Sequence, residues 1–164
     1  MQAANIVARH FRALLRHHFI TLILLAVALG CVSIARATPP QVLVISTAKP
    51  LGPALGTFST TGAFNDVGTL VTVERRVSAL PAPFGVVTHL VLRMEGQYGT
   101  FTIRTQIKES LTHDPSVFAN EGSWAVVSGT GAYAVLRGSG SMEGTVNDAA
   151  NLITRVYSGR AHFD

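Results

Sequence analysis

The stretch TFTIRTQIK, residues 100–108, alternates strictly in polarity. Phe101, Ile103 and Ile107 fall on one side, with Thr102, Arg104, Gln106 and Lys108 on the other. A period of two places successive side chains on opposite faces of an extended chain, so such a segment is a strand with one face to bury. Residues 86–95 behave alike, setting Leu90, Leu92 and Met94 against His89, Arg93 and Glu95. Gly96-Gln97-Tyr98-Gly99 between the two segments reads as a short hairpin connection. The same alternation, bounded by Gly, Pro, Asn and Asp, predicts further strands at 42–47, 57–64, 68–77, 123–128, 139–146 and 152–159. Beyond residue 37 no helical period persists for three turns.

About eight strands with short connections follow from this reading. One-sided alternation argues for antiparallel pairing, because parallel strands covered on both faces read as continuous apolar runs. Such strands fold into a sandwich or close into a barrel. The expected fold is all-β, an antiparallel closed barrel of about eight strands preceded by an N-terminal signal helix. Closure removes the sheet edges that the chain would otherwise have to protect. Two loops stand out. The Pro-rich ALPAPFG, residues 79–85, is unsuited to a central strand. Residues 110–122, SLTHDPSVFANEG, form the longest expected irregular connection.

The first 37 residues have a separate composition. Arg9, Arg12 and Arg16 precede the uncharged run FITLILLAVALGCVSIA, and Ala35-Arg36-Ala37 supplies a small-x-small cleavage pattern. Basic start, apolar run and small-residue site describe an export signal with cleavage after Ala37. An uncleaved anchor and a lipoprotein modified at Cys31 are the alternatives. The expected organisation is a signal peptide over 1–37, an extended leader and first strand over 38–56, and the barrel over 57–164.

Cleavage would remove Arg9, Arg12, Arg16 and Arg36, leaving nine of the 13 basic residues against nine acidic ones. The positive charge of the whole chain is then a targeting feature, and no nucleic-acid partner is expected. The single cysteine, Cys31, would leave too, so neither a disulfide nor a thiolate metal site is expected. His89, His113 and His162 lack the spacing of a metal pair. No metal or cofactor is expected, and the membrane is met only through the signal segment.

Gly129-Thr130-Gly131-Ala132-Tyr133-Ala134 fits the dinucleotide-binding pattern G-x-G-x-x-[GA]. That chemistry needs a following helix, whose N-terminus meets the pyrophosphate, and an acidic residue about 20 positions on. Here Gly138-Ser139-Gly140 stops the segment after AYAVLR, and the position twenty residues past Gly131 is Asn151. The glycines instead suit a turn between strands, with Tyr133, Val135 and Leu136 in a short helical turn over a barrel opening.

The block GSWAVVSGTGAYAVLRGSGSMEG, residues 122–144, resembles the late-strand motif of the allene oxide cyclase barrel-like superfamily, which includes dirigent proteins and many exported bacterial proteins. Its pattern is a strand, G-T-G-x-[YF]-x-x-x-x-G-x-G, then another strand, matched by Gly129, Thr130, Gly131, Tyr133, Gly138 and Gly140. GTFSTTGAFNDVGTL and GTFTIRTQI support it more weakly. The resemblance implies an eight-stranded antiparallel barrel. The plant cyclases of that superfamily bind an oxidised fatty acid, and dirigent proteins steer radical coupling of phenols. Their acting residues do not map one by one onto this chain, so the resemblance implies no catalytic role.

Two arginines share parity with apolar neighbours: Arg75 with Val71, Val73 and Val77, and Arg155 with Ile153 and Tyr157. An arginine inside a barrel must be paired or hydrogen-bonded, since an unpaired buried charge is costly. With Trp124 or Tyr157 it would hold the polar head of a largely apolar ligand. Alternatively both arginines sit near strand ends and reach water. The expected ligand-binding residues are therefore Arg75, Trp124, Arg155 and Tyr157. The expected function is an exported barrel binding a small hydrophobic or aromatic molecule. The alternatives are a cofactor-independent cyclase or isomerase acting in the barrel interior, and an envelope or extracellular interaction module using the 110–122 loop.

Overall fold

The computed structural model describes residues 37–79 and 86–164. The expected signal helix, Cys31 and most of the Pro-rich loop lie outside these residues. Eight strands follow in chain order: β1 (Gln41–Pro50), β2 (Gly56–Gly62), β3 (Asp66–Ala79), β4 (Val86–Gly96), β5 (Thr100–Leu111), β6 (Val117–Gly129), β7 (Leu136–Asn147) and β8 (Leu152–Phe163). A single 3₁₀ turn, Gly131–Tyr133, links β6 to β7. Each strand pairs antiparallel with the next, and β1 pairs with β8 to close the barrel. The expected antiparallel barrel is thus observed, with β1 as one of its staves.

The alternation sorts as anticipated on most strands. Leu90, Leu92 and Met94 of β4 and Phe101, Ile103 and Ile107 of β5 are buried inside, as is Tyr157 of β8. Residues 110–122 are not an irregular connection. β5 continues to Leu111 and β6 begins at Val117, paired from Leu111↔Phe118 to Ile107↔Gly122. Only 112–116 remain as a turn, tied by the Asp114 carboxylate accepting from the backbone and hydroxyl of Ser116. The inward positions of early β6 are Phe118, Asn120 and Gly122, a row with too few apolar side chains to show the period.

A bulge between Thr72 and Glu74 corrects the expected parity of Arg75. Before it, Leu70 and Thr72 oppose the inward Met94 and Leu92; after it, Arg75 and Val77 oppose Leu90 and Thr88. The extra residue, Val73, flips the alternation. Arg75 therefore faces inward with Leu70 and Thr72 but not with Val71, which opposes the outward Arg93.

One end of the barrel is plugged. Phe101 is edge-on to Phe58 at 5.5 Å and to Tyr133 at 5.3 Å, and Phe64 packs on Tyr133 at 4.9 Å. The 3₁₀ turn delivers Tyr133 into this cluster, where it is buried. Gly131 turns the chain at φ 58°, a left-handed conformation open to glycine, and a Cβ there would lie 2.5 Å from the Tyr98 carbonyl. Thr130 fastens the turn, its hydroxyl meeting that of Thr100 at 2.8 Å and accepting the Thr100 N–H at 3.1 Å. Val135, placed with Tyr133 and Leu136 in the sequence reading, is exposed, whereas Leu136 is fully buried.

The plug has a polar centre. The Tyr133 hydroxyl donates to Asp66 Oδ2 at 2.6 Å, while Oδ1 accepts backbone N–H groups of Val67 at 2.8 Å and Gln97 at 3.1 Å. Burial alone would raise the Asp66 pKa, but these hydrogen bonds favour the carboxylate and hold it below the ordinary value. Burial and the Asp66 carboxylate together push the Tyr133 phenol up.

Candidate functional site

The other end is open. A pocket of about 610 Å³ occupies it, lined by residues of every strand but β2 and by Leu51, Gly52 and Pro53 of the β1–β2 loop. Leu90, Phe118, Val146 and Ile153 supply apolar wall, and Thr88 a hydroxyl. Three cations, Lys49, Arg75 and Arg155, share the lining with Glu74, Glu109 and Asp148.

Arg155 is held by an arrangement that begins in the sequence of β7. Asn120 of β6, Gly144 of β7 and Arg155 of β8 stand in one cross-strand row, with Thr47 of β1 next. Arg155 Nε donates to Asn120 Oδ1 at 3.1 Å, so its side chain passes over the glycine between them. A Cβ on Gly144 would meet Arg155 Cγ at 2.8 Å and the Thr154 carbonyl at 2.2 Å. The side chain thus reaches two strands away because the intervening residue has none. Arg155 is 8% exposed, so it does not extend to bulk water.

The same device recurs two inward positions further along β6. Trp124 of β6 opposes Gly140 of β7, which opposes Gly159 of β8. The indole Nε1 crosses β7 to donate to the Ser158 carbonyl at 3.3 Å. Trp124 is buried in the packed layer below the pocket and does not line it.

Tyr157, two residues along β8 from Arg155, is fully buried in the row between Arg155 and Trp124, opposite Met142. Its hydroxyl has no hydrogen-bond partner of ordinary geometry among the described residues, although the Arg155 guanidinium lies close to it. Burial pushes its pKa up to about 12, against the opposing pull of the nearby Arg155 charge. Of the four expected ligand residues, the structure brings Arg75 and Arg155 to one pocket and sets Trp124 and Tyr157 beneath it. Arg75 is exposed near the rim, as the water-reaching alternative has it, while Arg155 is not.

Sequence reasoning missed Lys49, Asn120 and Thr88. Lys49 is 7% exposed and donates to the carbonyls of Pro50, at 3.1 Å, and Gly52. Burial and then the Arg155 charge lower its pKa. The signal was present: Leu43, Ile45, Thr47 and Lys49 share one parity, and extending the first strand past Thr47 would have brought Lys49 inside. Two further buried atoms lack partners among the described residues, Thr88 Oγ1 and Asn120 Nδ2. A second, shallower depression of about 630 Å³ runs along the outer wall by Glu121, Glu143 and Thr145, bordering Arg155 and Asn120 where the wall thins at Gly144.

No family model, curated protein or solved structure matches this chain. The residues of the G-T-G block all have structural positions. Gly129 lies against the Tyr133 carbonyl, 2.0 Å from where its Cβ would stand, Thr130 and Gly131 form the turn, and Tyr133 fills the plug. Gly138 and Gly140 face inward on β7, and Gly140 lies opposite Trp124. Among the described residues no group of three or more His, Cys, Asp or Glu side chains is placed to hold a metal ion.

Proposed function

We propose that this chain is an exported barrel that binds a small hydrophobic or aromatic molecule in its open mouth. One observation carries the reading: the barrel is packed from the aromatic plug up to Trp124 and Tyr157, then opens into a pocket of about 610 Å³. That volume lies in the range of small-molecule sites, roughly 300–1,000 Å³. Its wall sets apolar side chains, Leu51, Leu90, Phe118, Val146 and Ile153, beside polar and charged groups in about equal number, so it offers both a surface for an apolar body and groups that fix its orientation. The rigid layer below gives the pocket a floor that does not have to form on binding, which limits the ordering cost. Export is supported by the composition of residues 1–37, and the resemblance to the allene oxide cyclase barrel-like superfamily supports a ligand-holding barrel.

The test is binding of a neutral apolar fluorophore, N-phenyl-1-naphthylamine, to the folded protein, together with native mass spectrometry of protein from its own host. Saturable binding that Val146→Trp abolishes, with an unchanged melting temperature, is the expected result. Failure of the wild type to bind the fluorophore or to carry a co-purifying molecule would overturn the reading.

A further inference from the structure

We infer that the mouth selects a monoanion, whose charged group is held by Lys49 and Arg155 while its apolar body lies against Leu90, Phe118 and Ile153. The inference rests on the reading of the mouth as a ligand site and names the class of ligand.

Lys49 and Arg155 are each more than nine-tenths buried. All nine acidic residues of the chain are among the described residues, and the undescribed 1–36 and 80–85 contain none. No carboxylate lies within ion-pair distance of either cation; among the described residues the ion pairs are Arg76–Glu74, Arg93–Glu95, Arg137–Asp164 and His162–Asp164. Among the described residues Lys49 donates only to two backbone carbonyls, and Arg155 donates through Nε to Asn120. Its terminal guanidinium nitrogens, the part best shaped to grip an oxyanion, lie close to the Tyr157 hydroxyl but make no hydrogen bond of ordinary geometry to a described residue.

Two like charges withdrawn from water without a counter-ion cost free energy. Their mutual repulsion is felt at Lys49, whose affinity for its proton is reduced by burial and then by Arg155. A bound anion removes both penalties at once. One orphaned buried atom, Thr88 Oγ1, adds a donor in the pocket wall, and a second, Asn120 Nδ2, belongs to the residue that already holds Arg155, beside the outer depression. The pocket's acidic residues set the limit on charge. Glu74, Glu109 and Asp148 line the same cavity and oppose a second negative charge. The shared chemistry is a single carboxylate or sulfonate on an apolar frame.

The experiment compares two probes of similar aromatic body: anionic 1-anilinonaphthalene-8-sulfonate and neutral N-phenyl-1-naphthylamine. Wild type is expected to bind the anion at least tenfold more tightly, with an affinity that falls as NaCl rises. Lys49→Met and Arg155→Met should each lower the preference for the anion over the neutral probe tenfold or more, and Lys49→Arg should retain the preference. Circular dichroism and thermal melts establish that each variant is folded. If Arg155→Met does not fold, Lys49→Met with Lys49→Arg decides the matter alone. Equal affinity for both probes, or indifference of the anion to Lys49→Met, overturns the charge assignment and leaves the ligand site standing. Absence of binding of either probe to folded wild type sinks both.

Discussion

The Tyr133 hydroxyl and the Asp66 carboxylate, 67 residues apart in sequence, meet at 2.6 Å inside the closed end of the barrel. This contact fastens the β6–β7 connection to the start of β3 across the interior. It also explains why a carboxylate is tolerated among Phe58, Phe64 and Phe101. The charge is spread over one phenolic and two backbone donors.

Tyr133→Phe keeps the ring and removes the strongest of those donors. A hydrogen bond to a charged group contributes about 1.5–3 kcal/mol, so the variant should lose stability in that range. Urea denaturation gives the value. A change within error of zero would mean that water replaces the phenol.

The same carboxylate sets a dependence on acid. Its folded pKa lies below its ordinary value of 3.8. The stability it confers is therefore complete above the unfolded pKa and is lost as pH falls through the lower folded pKa. Denaturation midpoints measured from pH 6 downward should decline as 3.8 is approached and passed. In Tyr133→Phe the decline should be shallower, because the folded pKa moves back toward the unfolded one.

Gly96 makes room for the plug. A Cβ at this position would stand 1.9 Å from Asp66 Oδ2. Gly96→Ala should displace the carboxylate from its donors and cost about 1–3 kcal/mol, the usual range for overpacking a filled interior. Melting Gly96→Ala alone and together with Tyr133→Phe should show less than additive losses, since both disturb one hydrogen-bonded group.

Trp124 is the protein's single tryptophan, 3% exposed. Its fluorescence should be blue-shifted and resistant to iodide, turning red on unfolding. Trp124→Ala should cost about 3–5 kcal/mol as a large-to-small core change. Trp124→Phe should cost less, near 1 kcal/mol for the lost hydrogen bond to Ser158 together with a small packing loss.

Where the apolar face was carried by Leu, Ile, Met and Phe, as on β4 and β5, the sequence displayed the strand directly. On β6 and β7 the inward positions include Asn120, Gly122, Gly138, Gly140 and Gly144, which carry no hydrophobic signal. There the glycines are the pattern, because they clear the path of Arg155 and Trp124. Arg155 was legible from parity alone. Arg75 reached the inner face by a bulge at Val73 that the linear period does not encode. Lys49 was missed because the expected strand stopped two residues early, and Asn120 because its strand was read as loop.

Strands β1 and β8 meet where the barrel is closed by aromatics. The Thr38 N–H donates to the Phe163 carbonyl at 2.7 Å, and the Thr38 hydroxyl accepts the Phe163 N–H at 2.7 Å. With its first and last strands adjacent, the ring of eight has no topologically privileged beginning. Joining residue 164 to residue 38 by a short peptide and opening the 112–116 turn would keep every strand pair. Such a circular permutant would carry its new ends at the mouth, beside the pocket, where a reporter attached to them would sense whatever enters.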